Sequence, residues 1–278
     1  MVTNVDSAEL ERLNSLSRAV RERVLSIVYE SGSGHVGAAL SQVDILVSLY
    51  ARVLNLTPRN WQAPERDRFV LSKGHGGLGF AAVLVECGFL SESEIASFGR
   101  SGSPLGMHLD RQRVAGVEQS TGSLGHGLGV AVGMALGARL LQLKCRVVCL
   151  LSDGECYEGS IWEAAQSATS HRLSRLTAIV DRNRLTMDGF TEDEAPLEPL
   201  AEKWQSFGFR VLRCDGHDHA ALLSALSTPP DESRPSVLLA DTVKGRGVDF
   251  MENQAKWHYG ALDSHDYARA LESLRRRP

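Results

Sequence analysis

The sequence predicts an α/β protein: a parallel sheet flanked by helices on both faces, in one domain spanning 1–278. Three observations predict it. Continuous apolar runs recur at 146–151 (RVVCLL), 176–180 (LTAIV), 209–214 (FRVLRC) and 236–243 (SVLLADTV). Helix-length patterns separate these runs. No internal repeat, low-complexity stretch or linker breaks the alternation. Strands that are apolar throughout and joined through helices belong to a parallel sheet covered on both sides.

The elements follow in order. Asp6 and Glu9 stand at capping-box spacing. Leu10, Leu13, Leu16, Val20, Val24 and Ile27 then repeat at helical intervals. A second helix is expected near Ser41, with Asp44 at its third position and Ile45, Leu46, Leu49 and Val53 inward. Arg68 to Leu71 reads as a short strand, and a helix through Phe80 to Glu86 stops at Gly88. Residues 123–143 (SLGHGLGVAVGMALGARLLQL) form a long Gly/Ala-rich helical pattern. Each interior glycine costs about 1 kcal/mol relative to alanine, so close approach of a helix or a ligand is expected there. Further helices are expected near 158–170, near 197–207 and after 214.

Of the 278 residues, 43% are hydrophobic and the net charge is −4, so a sizeable core is expected and a basic nucleic-acid surface is not. The cluster Arg275-Arg276-Arg277 reads as a frayed, solvated tail. The polar, acidic N-terminus lacks the pattern of a signal peptide, and the apolar stretches are too short for a membrane span. Cys87, Cys145, Cys149, Cys156 and Cys214 include no CxxC pair and are odd in number, which suits free thiols in a reducing cytoplasm. Nothing pairs Cys156 with a base.

The chemistry gathers at two strand ends. Asp153 follows the 146–151 run and Asn183 follows the 176–180 run. A right-handed crossover brings such ends to one edge, where open parallel sheets bind ligands. A carboxylate and a carboxamide there make a hard oxygen site for Mg²⁺ or Ca²⁺, with phosphate oxygens as further ligands. Gly154 permits close backbone approach, and the helix expected after it favours an anion.

Here the residues reach a family. Twenty-eight residues separate Gly154 from Asn183, and this Asp-Gly…Asn spacing resembles the thiamine diphosphate motif. DGECYEGSIWEAA resembles its transketolase version. SGSGHVGAALSQVDIL (31–46), DRFVLSKGHGG (67–77), GVEQSTGSLGHGL (116–128) and WHYGAL (257–262) are similar to four further transketolase blocks, in the family's order. The resemblance implies a thiamine diphosphate-binding fold of the diphosphate (PP) type. It implies Asp153, Asn183 and the Leu185 carbonyl as metal ligands. His75, Gly122, Ser123, Leu124, Gly154, Asn183 and His258 would contact the cofactor. Glu158 would communicate with a partner's cofactor-activating acid. His35, His108 and His258 would line the substrate channel. Ser152, Val36 and the Met107-His108-Leu109 stretch depart from the family pattern, the last in the channel wall.

The flanking glycines of His35 and His75 suit imidazoles exposed in tight loops, able to donate to a ketose oxygen or move a proton. His171, His217, His219 and His265 read as surface or satisfied core residues. His126 stands where the family has Gln and is expected to serve a structural hydrogen bond.

In the family, the activating Glu lies in a pyrimidine domain, absent here after the WHYGAL block. The resemblance therefore implies the N-terminal subunit of a split transketolase, inactive without a separate pyrimidine-domain chain, in an α₂β₂ assembly. Its reaction would move a two-carbon ketol unit from a ketose, or ketose phosphate, to an aldose. A 2-oxo acid decarboxylase subunit, a deoxyxylulose-phosphate-synthase-like condensation and a non-catalytic subunit stay open. The histidines at 35, 75, 108 and 258 favour transketolase.

Overall fold

The computed structural model describes residues 6–276. The chain opens with α1 (Ser7–Ser31), α2 (Val36–Ser41) and α3 (Val43–Ser48), which runs into a π-turn at Leu49–Val53. Then come β1 (Arg68–Leu71), a 3₁₀ turn at Gly74–Gly76, α4 (Gly77–Glu86), α5 (Glu92–Ile95), α6 (His126–Leu140) and β2 (Val147–Ser152). A second 3₁₀ turn (Gly154–Tyr157) leads to α7 (Gly159–Ser170), β3 (Leu176–Arg182), α8 (Thr191–Glu194), α9 (Leu200–Ser206) and β4 (Arg210–Asp215). The last elements are α10 (His219–Leu226), β5 (Ser236–Asp241), a 3₁₀ turn (Ala255–Trp257) and α11 (Ser264–Arg276).

The five strands form one parallel sheet in the order β1-β2-β3-β5-β4. Alternate residues of each strand enter opposite layers, as the pleat requires. Phe69, Leu71, Val148 and Leu150 join α1, α3 and α4 in one core. Val70, Val147, Cys149 and Leu151 join α6, α7 and α9 in the other, around Trp204 and Ile161. Every residue of β2 is buried, which explains its unbroken apolar run. β4 lies at the edge and is only half covered, so it departs from the expectation of strands apolar on both faces.

Other expectations shift for local reasons. A short helix, α2, precedes the expected one from Val36, and α3 then begins at Val43, close to the expected Ser41, with Asp44 in its first turn. Asp44 does more than favour a helix start. It is buried and clamped by Arg21 at 3.0 and 2.5 Å. The 123–143 pattern becomes helical only at His126, because Gly125 adopts φ 83° and turns the chain. Half of the N-terminal capping box forms: Asp6 accepts from the Glu9 amide, while Glu9 pairs with Arg12. The Arg275-Arg276 pair belongs to α11 rather than a frayed tail, and Arg276 pairs with Glu272. Arg277 and residues 1–5 lie outside the described residues. All five cysteines are free thiols. Among the described residues no helix is long and apolar enough to cross a membrane.

Candidate active site

β2 and β3 pair side by side, with Ser152 opposite Asp181. Asp153 follows β2 directly, and Asn183 follows β3 directly. The two ends meet. Asp153 Oδ2 accepts from the Arg184 amide at 2.5 Å and from Arg182 Nη1 at 3.1 Å, while Oδ1 accepts from the Gly154 amide at 2.8 Å. Asn183 Oδ1 accepts from the Leu185 amide at 3.1 Å. The Leu185 and Thr186 carbonyls then accept from Lys244 Nζ at 2.7 and 2.8 Å.

Asp153 is 1% exposed. Burial, and then the Asp181 carboxylate, push its carboxyl above the usual range; Arg182 and the Arg184 amide oppose this without cancelling it. Asp181 differs, because Lys73 Nζ stands 2.5 Å away and both side chains are fully buried. Burial pushes the Asp181 carboxyl up, but Lys73 and the hydroxyls of Thr242 and Ser41 outweigh it and hold it low. Glu155, also fully buried, accepts from Ser72 Oγ at 2.6 Å, the Ser152 amide at 2.9 Å and the Gly125 amide at 3.0 Å. One carboxylate thereby joins the loops after β1 and β2 to the turn before α6.

Four histidines converge over this floor. The His35 ring centroid lies 5.8 Å from that of His75, 6.2 Å from His108 and 5.5 Å from His258; His75 and His258 lie 5.7 Å apart. Tyr259 packs on His35 at 4.8 Å. Burial, then the charges of His108 and Lys244, push the His35 imidazole down to about 4. Burial, then Lys244 and His35, push His258 down to about 4 as well. His75 is driven well below its usual value by burial and by Lys73. All three are therefore neutral at pH 7. Lys244, lowered to about 8 by burial and by Lys73, stays charged there. Its ammonium has only hydrogens to offer, so it donates to His258 Nδ1 at 2.9 Å and leaves the ring proton on Nε2.

The glycines let these loops close. A Cβ on Gly74 would begin 2.7 Å from the Gly122 nitrogen and the Thr121 carbonyl, so the two loops touch backbone to backbone there. Gly122 packs under the His108 ring, Leu124 is half-buried and Ser123 is exposed. Gly154 faces open space, since a Cβ there would meet nothing within 4 Å.

The helix expected near 158–170 is α7, reached from Gly154 through a single 3₁₀ turn. One expectation needs correction. His126 is exposed, and its side chain makes no hydrogen bond among the described residues. Glu158 is exposed at the start of α7, where its side chain lies against Gly125. The Cys156 thiol is buried and pushed far up by burial and by Asp153, which rules against a nucleophile. Sequence reasoning missed Lys244, Lys73, Asp181, Glu155 and Tyr259. Lys244 had a usable signal: it sits between the fourth apolar run and two glycines in VKGRG, at a strand's carboxyl end.

The arrangement suits the cofactor that the resemblance implies. Asp153, Asn183 and the Leu185 carbonyl offer only oxygens, the donors a hard divalent ion takes. A charged lysine, neutral imidazoles and the open face of Gly154 suit a diphosphate.

Comparison with known proteins agrees. The family described as transketolase, thiamine diphosphate binding domain, matches residues 13–277. An apulose-4-phosphate transketolase subunit of Actinobacillus succinogenes is 40% identical, over 95% of this chain and 96% of its own length. A 6-deoxy-6-sulfo-D-fructose transketolase subunit of Clostridium sp. is 38% identical, over 94% of this chain and 96% of its own. Homo sapiens transketolase is 35% identical, but this chain covers 40% of it. The solved transketolase of Campylobacter jejuni superposes with a TM-score of 0.90 at 28% identity, over 98% of this chain and 43% of that one. The chain thus spans about two-fifths of the length of the solved transketolases it matches. Sequence blocks, sheet order and converging strand ends agree: the chain belongs to the transketolase family and carries its thiamine diphosphate-binding domain.

Proposed function

We propose that this chain is the diphosphate-binding subunit of a two-chain transketolase. It would move a two-carbon ketol unit from a ketose donor to an aldose acceptor with a pyrimidine-domain partner. The observation that carries the reading is the contact between the Asp153 carboxylate and the 182–184 turn, which joins the two halves of the expected metal clamp.

Asp153, Asn183 and the Leu185 carbonyl would hold Mg²⁺ or Ca²⁺. His75, Lys244 and the backbone of Gly122, Ser123, Leu124 and Gly154 would hold thiamine diphosphate. When bound, the cofactor supplies a carbanion that adds to a ketose carbonyl. The chain's own residues bind and orient the sugar. The Nε2–H of His258, fixed by Lys244, donates to a sugar oxygen. Neutral His35 accepts from or donates to a neighbouring hydroxyl without adding fixed charge, and His108 beside it would line the same channel. Glu158, exposed at the start of α7, would face the partner. The two relatives named above are called transketolase subunits and match this chain over nearly their whole length, which supports a separate partner. Their named substrates carry a phosphate or a sulfonate, so we assign a ketose bearing a terminal anion as the donor class.

The outer face of α6 supports a docking partner too. A Cβ on Gly129, Gly133 or Gly137 would meet nothing within 4 Å, and Leu140 and Leu141 are 80% and 72% exposed. We assign an α₂β₂ assembly and, from the free thiols, a cytoplasmic setting. Calorimetric titration of the reconstituted pair with thiamine diphosphate and Mg²⁺ tests the site. Asp153→Ala is expected to abolish metal-dependent binding, and unchanged affinity overturns the assignment. Transferase activity from this chain alone would overturn the two-chain arrangement.

A further inference from the structure

Outside the histidine cluster, a cavity of about 80 Å³ opens between α1, α3, the 243–247 segment and α11. Its wall includes Arg18, Arg21, Arg246, Asp44, His217 and Asn14. Setting Arg18 aside, the Arg21 and Arg246 guanidiniums share this wall with one carboxylate, Asp44. His217 adds no charge of its own: its Nε2 accepts from the Val243 amide at 2.8 Å, so the proton sits on Nδ1, 2.7 Å from Asp44. Arg21 spends two of its nitrogens on Asp44, while its Nε is buried without an acceptor. That Nε lies 3.7 Å from where a Gly247 side chain would begin, and Gly247 is part of the cavity wall. Arg246 is half-buried, and its guanidinium makes no ion pair or hydrogen bond among the described residues. Glu252, which accepts from the Gly247 amide, contributes nothing to the wall.

We infer that this cavity binds a small tetrahedral oxyanion: free phosphate, or the phosphate end of a phosphomonoester. Guanidinium forks match phosphate oxygens in geometry and charge. The cavity's size admits one such group and leaves any ester chain pointing outward. Arg246 lies two residues from Lys244, so an anion held there also fixes the segment that places Lys244 in the cofactor cleft.

The test is calorimetric titration of the full chain with inorganic phosphate and, separately, glycerol phosphate, at constant ionic strength. Saturable binding is expected, and Arg246→Gln should weaken it about tenfold or more, the effect of one lost charge-assisted contact. Lys244→Met separates this site from the cofactor cleft and should leave phosphate affinity within about twofold. Tighter binding of glycerol phosphate assigns an ester as the ligand; equal or weaker binding assigns free phosphate. Absence of saturable binding by either anion, or loss in Lys244→Met but not in Arg246→Gln, overturns the assignment.

Discussion

Replacing Lys73 with methionine isolates the buried ion pair beneath the site. Methionine nearly matches the length of the lysine stem and removes the charge. Lys73 and Asp181 are both fully buried, 2.5 Å apart, and the ammonium also reaches the Ala38 carbonyl at 3.4 Å. Without it, an acid held among apolar strands keeps only the hydroxyls of Ser41 and Thr242 as donors. Removing one partner of a buried pair costs about 3–5 kcal/mol, because the survivor is an uncompensated charge. For a chain of this size that lowers the melting temperature by roughly 6–20 °C. The assay is urea denaturation of wild type, Lys73→Met, Asp181→Asn and the double variant, without cofactor. An asparagine in the double variant keeps the hydroxyl contacts and has no charge to strand. Its deficit should therefore fall to about 1–2 kcal/mol, well below the sum of the two single variants. A single-variant loss under about 1 kcal/mol, or additive losses, would refute the reasoning.

Three further outcomes are expected. Gly74→Ala would press a Cβ to 2.7 Å from the Gly122 nitrogen and the Thr121 carbonyl. Backbone yields poorly, so stability should drop by about 1–3 kcal/mol, and cofactor affinity should fall as the two loops part; thermal melting and calorimetry read both. Lys244→Met loses a charged donor to two carbonyls and His258, which should weaken thiamine diphosphate binding about 10–100-fold; a change under about twofold contradicts its role. His35, pushed down to about 4 by burial and then by His108 and Lys244, should show an NMR titration midpoint well below the ordinary value of about 6.5. The unfolded chain protonates first as pH falls, so this residue's contribution to stability is present above about 6.5 and is lost toward about 4. His35→Gln should flatten that slope, and a midpoint near 6.5 would contradict the burial argument.

What the sequence makes legible follows from range. Strands buried on both faces leave unbroken apolar runs, so β2, β3 and β5 and the Asp153 and Asn183 positions at their ends can be read from a dozen neighbouring residues. The histidines at 35 and 75 announce themselves through flanking glycines. Pairs between distant segments leave no such trace. Asp44 looks like a helix-start acid, yet its partners are Arg21 and His217, the latter 173 residues away. Lys73 looks like a solvated loop lysine until β1, β2 and β3 pair and set it against Asp181, 108 residues on. Lys244 enters the site because β5 lies beside β3, an order that composition and periodicity leave open.

Those long-range pairs also show where a cation is wanted. Asp44, Asp153 and Asp181 are all buried aspartates, and burial pushes each carboxyl up. Asp44 has a bidentate arginine, and Asp181 has a lysine with two hydroxyls; both are held below the usual range. Asp153 is different. Arg182 reaches it through one nitrogen at 3.1 Å and divides its other contacts among Thr191, Glu192 and Glu198. Asp181 stands near enough to repel it, and its carboxyl stays raised. The chain's own cations thus stabilise two of these acids and leave the third short of positive charge. That third acid is the one at the strand end, beside the Asn183 turn and the open face of Gly154. A divalent ion there would complete what Arg182 begins.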